Sequence, residues 1–87
     1  MDGIEKRGPL SLEDGMRRRM HAENMTYSSV TINYASPTGG MQIAFTVREG
    51  TVSFLDSTLR KPNSVEMGVA ALVAQEAVDQ RFKHAAE

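Results

Sequence analysis

The chain contains no cysteine. It can therefore carry no disulfide framework and no thiolate metal site, and its composition is compatible with a reducing compartment. It also lacks a long apolar run. Nothing approaches the ~20 residues a membrane helix needs, and no apolar signal-peptide core opens the sequence, so the expectation is a cytoplasmic protein without a membrane partner. Charge of one sign is missing too, because 10 Lys and Arg face 11 Asp and Glu for a net charge of −1. No overall electrostatic drive toward nucleic acid follows, although a local basic patch remains compatible with that balance.

The arrangements that carry chemistry are equally scarce. The only histidines are His21 and His84, far apart and without an i, i+4 histidine, whereas a metal site needs three or more converging ligands. His21-Ala22-Glu23 matches the His-x-Glu fragment of zinc deaminases, but that chemistry also requires a paired-cysteine segment. There is no Gly-x-Ser-x-Gly turn to expose a nucleophilic serine. Gly39-Gly40 falls between two strand-like segments rather than at the entrance of a helix, where amides and the helix dipole would meet a phosphate. The reading is a protein that is not an enzyme, with no catalytic residues, no cofactor and no metal.

What is present is periodicity. Val30, Ile32 and Tyr34 alternate with Thr31 and Asn33, and Met41, Ile43, Phe45 and Val47 alternate with Gln42, Ala44, Thr46 and Arg48. A period of two predicts strands with one apolar face. A third segment, Thr51 to Ser57, sets Val52 and Phe54 against Ser53 and Leu55. Turns at Ser36-Pro37-Thr38-Gly39-Gly40 and at Glu49-Gly50 are short enough to force antiparallel neighbours.

Helical signals flank this meander. Ser11 is placed to cap a helix running to about Asn24, with Glu13 and Asp14 at its positive end and a stripe of Leu12, Met16 and Met20 at i, i+4, i+8. Ser64 is read as the cap of a closing helix that continues to about Ala85. Its apolar face, Met67, Ala70, Ala71, Ala74, Ala77, Val78 and Phe82, is suited to lie on the sheet. The predicted fold is α+β: helix, three-stranded antiparallel meander, C-terminal helix packed on one face (α-β-β-β-α). Residues 1–10, with two glycines, a proline and no period, are expected to be a flexible tail, and 11–87 one domain of a size that buries ~60–65% of its unfolded surface.

Two features remain as candidate binding residues. Arg17-Arg18-Arg19 lies within the first helix and fans over roughly 200° at 3.6 residues per turn, with Arg60 and Lys61 adding a second basic spot. Leu72 points to the side that Gln75, Glu76 and Asp79 mark as solvent, so something is expected to cover it, with the first helix favoured over a second copy or a partner. The order of elements from Ser11 to Phe82 is similar in outline to the double-stranded-RNA-binding domain. That resemblance implies duplex binding through a lysine cluster at the start of the second helix, where this chain has Val65, Glu66 and Met67. The favoured expectation is a small protein-interaction module, such as an inhibitor or adaptor of the kind mobile genetic elements encode, with a protein partner or a homodimer. It would use Leu72's side of the closing helix, the Met-rich first helix, or the third strand's edge. Nucleic-acid binding through Arg17, Arg18, Arg19, Arg60 and Lys61 is the alternative.

Overall fold

The alternating segments form a sheet of four antiparallel strands, one more than the sequence predicts. A computed structural model describes residues 12–86, with side chains through Arg81. The expected tail over 1–10 and the Ser11 cap lie outside the described residues. The elements are α1 (Leu12–Arg18), β1 (Met20–Glu23), β2 (Ser29–Ser36), β3 (Gly39–Arg48), β4 (Thr51–Ser57) and α2 (Ser64–Ala86), and the strands are ordered β1-β2-β3-β4.

The extra strand comes from the end of the expected first helix, which stops at Arg18 instead of near Asn24. Met20 is ambiguous in sequence: it continues the i, i+4 stripe of Met16, but Met20-His21-Ala22-Glu23 also alternates. The sheet wins because β2 offers β1 a row of backbone partners and Met20, opposite Tyr34, becomes 4% exposed. At the other end of the stripe Leu12 is 68% exposed. Only Met16 remains on α1 as a partly buried contact to the core.

Both turns behave as their residues require. Pro37 and Thr38 form a two-residue loop between the paired Ser36 and Gly39, where Gly39 takes φ 131°. Glu49 and Gly50 take φ 51° and 79°, the double left-handed geometry that matches strand twist in a two-residue hairpin. One irregularity was not foreseen. Ala44 faces Asp56 while Phe45 faces Phe54, so Leu55 is an extra residue, bulged out and 58% exposed.

The core is the shared apolar face of the sheet with α2 laid across it. Val30, Ile32, Met41, Ile43 and Phe45 are buried from below, and Ala70, Ala74 and Val78 from above. Two fully buried alanines let the helix backbone approach the sheet closely, and burying a side chain such as Phe45 stabilises by roughly 1.5–3 kcal/mol. Phe54 adds an edge-to-face contact with Phe45 at 6.3 Å and 82°.

Helix α2 begins one residue differently from the sequence reading. Asn63, not Ser64, is its cap: the Glu66 amide donates to Asn63 Oδ1 at 2.8 Å and the Asn63 amide donates to Glu66 Oε1 at 2.9 Å. This reciprocal pair is a capping box, which satisfies two backbone donors that would otherwise lack partners.

Candidate interaction surface

Helix α1 lies beside the first half of α2, and between them runs an open groove of about 350 Å³. One wall is Glu13, Asp14 and Arg17, and the other is Ser64, Val65, Gly68, Val69 and Leu72. Val65, Gly68, Val69 and Leu72 share this side because they are three or four residues apart on a helix. Val65 is 36% and Leu72 50% exposed. The first helix therefore flanks Leu72 without covering it, contrary to the favoured expectation. At Gly68 an added Cβ would meet nothing within 4 Å, so the missing side chain leaves a notch one turn before the Leu72 knob. The Arg17 guanidinium donates to Glu76, tying α1 to α2 one turn beyond Leu72.

The basic candidates have separate fates. Arg17 is engaged with Glu76, and Arg60 forms a two-pronged pair with Glu66 at 2.6 and 2.8 Å. Arg18, Arg19 and Lys61 are exposed. Arg60 and Arg19 weakly oppose the upward push on the Tyr34 phenol, so of the arginine run only Arg19 shares the electrostatic surroundings of Arg60. The pairing of Arg17 with Glu76 and of Arg60 with Glu66 leaves less unpaired positive charge than the sequence suggests.

Glu66 is the one buried charged side chain among the described residues, at 4% exposure. Its hydrogen-bonded pairing with Arg60 holds its pKa down to about 2; burial opposes that shift, while the Asn63 amide and Tyr34 add to it. In return, burial first and the neighbouring carboxylate second push the Tyr34 phenol up. The cluster is fully partnered, as no buried side-chain nitrogen or oxygen among the described residues lacks a hydrogen bond. Its arrangement is that of an anchor for the loop and helix start, with the carboxylate turned inward.

The edge of β4, a third candidate surface, is partly closed. Gln75 reaches from α2 to accept from the Val52 amide at 3.1 Å and to donate to the Gly50 carbonyl at 2.6 Å, acting as a side-chain substitute for a neighbouring strand. The Leu55 bulge distorts the rest, a common protection of sheet edges. On the opposite face of the sheet a shallow polar depression of about 150 Å³ is lined by Thr31, Gln42, Ala44, Asp56, Ser57 and Thr58.

Two structural roles escaped the sequence reading. The sequence pattern places Gln75 simply on the polar face of the helix. Arg81 donates to the Met25 carbonyl at 3.0 Å and stacks 4.9 Å from the Tyr27 ring centroid, strapping the β1–β2 loop to α2. Neither has a local signal, because their partners are distant in sequence. Asn63-x-x-Glu66 did have one, the spacing of a capping box.

Among the described residues no three His, Asp or Glu side chains gather to hold a metal ion, and no described helix is long and apolar enough to cross a membrane. His84 lies beyond the described side chains. No protein-family model matches the chain, and neither curated proteins nor solved structures give a match. The outline resemblance to the double-stranded-RNA-binding domain also weakens at the fold, since the sheet has four strands where that outline has three.

Proposed function

We propose that the protein is a small, non-catalytic protein-interaction module, of the inhibitor or adaptor type, whose contact surface is the groove between α1 and α2. The observation that carries this reading is Leu72. A leucine half exposed beside Val65 in an open groove is apolar surface that the sheet does not need for its own core, which is already closed by Ala70, Ala74 and Val78. Apolar surface bordered by charged residues is the usual anatomy of a protein contact. A cytoplasmic setting belongs to the same proposal.

A photo-crosslinking residue at position 72, compared with one at Thr46 on the uncovered sheet face, tests it in living cells. A discrete protein adduct from position 72 but not from position 46 is expected. Equal labelling from both positions, or none from 72, contradicts the reading.

Nucleic-acid binding is the second reading, and the exposure of Arg18, Arg19 and Lys61 is the observation in its favour. It requires an affinity that falls with salt and falls again in an Arg18→Ala/Arg19→Ala/Lys61→Ala variant. No retention of duplex RNA, duplex DNA or single strands at low salt removes it.

A further inference from the structure

We infer that α1 and β1 open together as one arm about a hinge at Asn24-Met25, that Arg81 is the latch holding the arm shut, and that the arm's position governs whether the groove beside α2 exists. The last clause rests on the groove being the contact surface, because Glu13, Asp14 and Arg17 of α1 form one of its walls.

The first observation is how little holds the arm down. From Leu12 to Met25 only Met20 is buried, against Val30, Ile32 and Tyr34 in β2 and Met41, Ile43 and Phe45 in β3. Strand β1 lies at the sheet edge and pairs over four positions, whereas β2 and β3 pair over eight. The Ala35 amide donates to the Arg19 carbonyl at 3.0 Å, and antiparallel alternation carries that pattern to His21 with Asn33 and Glu23 with Thr31. A short ladder at an edge, with little apolar surface beneath it, marks a segment that opens before the rest of a domain. The seven-residue α1 is too short to persist as a helix by itself, so it is lost with β1.

The second observation is the joint. The chain leaves β1 through Asn24 at φ 52°, a left-handed conformation that asparagine tolerates. Beyond Met25 the turn closes on itself. The Thr26 amide donates to the Ser29 carbonyl at 2.8 Å, and Thr26 Oγ1 accepts from the Ser28 and Ser29 amides at 3.2 and 3.0 Å. Thr26 to Ser29 therefore stay with β2, and the chain bends at Asn24-Met25.

The third is the latch. Arg81 donates to the Met25 carbonyl at 3.0 Å and stacks 4.9 Å from the Tyr27 ring centroid, gripping the joint and the turn beyond it together. Arg17 also ties α1 to Glu76, but both side chains of that pair are about half exposed, and an ion pair so open to water contributes little. The charge-assisted bond at the joint is the stronger hold.

Native-state hydrogen exchange on the purified full chain at low urea concentrations tests the arm without any partner. In wild type the amides of Arg19, His21 and Asn33 should share one opening, faster and less urea-dependent than that of Ile32 and Ile43, which pair β2 with β3. Arg81→Ala should speed Arg19, His21 and Asn33 together by about tenfold. Phe45→Leu, which loosens the contact with Phe54 on the β4 side of the sheet, should speed Ile32 and Ile43 and leave the arm amides unchanged. The inference is overturned if Phe45→Leu accelerates both sets alike, since the arm then opens only with the whole domain. It is overturned equally if Arg81→Ala leaves Arg19 and His21 unchanged. Failure of the interaction reading looks different: the arm exchanges as expected while position 72 crosslinks to nothing, which keeps the hinge and its latch and removes the groove clause.

Discussion

Arg60 and Glu66 face each other through paired hydrogen bonds, Nη1 to Oε1 at 2.6 Å and Nη2 to Oε2 at 2.8 Å, so that the loop leaving β4 is clamped to the first turn of α2. The carboxylate is nearly sealed from water while the guanidinium is about a third exposed, at 5% and 35%. A charge buried in this way is stabilising only with its partner in place.

A pH dependence follows. Folding lowers the Glu66 pKa from 4.5 to about 2. The group's contribution to stability is therefore fully present above pH 4.5, declines as the pH falls below it, and is gone below about 2. Glu66→Gln should be less stable than wild type at pH 7, and the gap should narrow through that window. Urea unfolding at a series of pH values reads it directly, and a gap that is constant between pH 5 and pH 2 contradicts the pairing.

The cap of α2 is assigned to Asn63, so Asn63→Ala should cost about 1 kcal/mol, within the range for lost caps, whereas Ser64→Ala should cost little. Paired denaturation curves separate the two. If Ser64→Ala is the more damaging, the capping box between Asn63 and Glu66 is not the operative one.

Gln75 closes the start of the β4 edge through two hydrogen bonds to backbone groups. Gln75→Ala should lose roughly 1–2 kcal/mol, and the Val52 amide should exchange with deuterium faster while the paired amides of β2 and β3 keep their protection. Unchanged exchange at Val52 would show that water serves that edge equally well.

In the Glu49-Gly50 hairpin both residues have positive φ. Gly50→Ala should destabilise by about 1 kcal/mol. Glu49→Asn, which suits the left-handed region better, should stabilise by a few tenths of a kcal/mol. Thermal melts of the two variants moving in opposite directions would verify the turn.

The parts of this fold that were legible in the sequence are those with a strict local period. Val30 to Tyr34 and Met41 to Val47 could satisfy only one face, and Ala70, Ala74 and Val78 only one helix stripe. Met20 was not decidable in this way, because a four-residue segment fits both a helix stripe and a strand, and the choice belongs to the neighbouring β2. The Leu55 bulge, the Gln75 edge closure and the Arg81 strap depend on residues 9 to 56 positions away, from the Phe45–Phe54 pairing at one extreme to Met25 and Arg81 at the other. The exposure of Leu72 was legible, but its neighbour was misjudged: a helix shortened to seven residues is too small to cover it. The arginine run showed its charge in sequence and hid its partners, since nothing local to Arg17 or Arg60 announces Glu76 or the inward-turned Glu66.

The most direct test of the central claim, that the groove between α1 and α2 is the working surface, is a photo-crosslinking scan in living cells over Glu13, Val65 and Leu72 in the groove and Thr31 and Gln42 on the uncovered sheet face. The account predicts discrete protein adducts from positions 13, 65 and 72 and none from 31 and 42. Adducts gathered on the sheet face, or none from the groove, would contradict it.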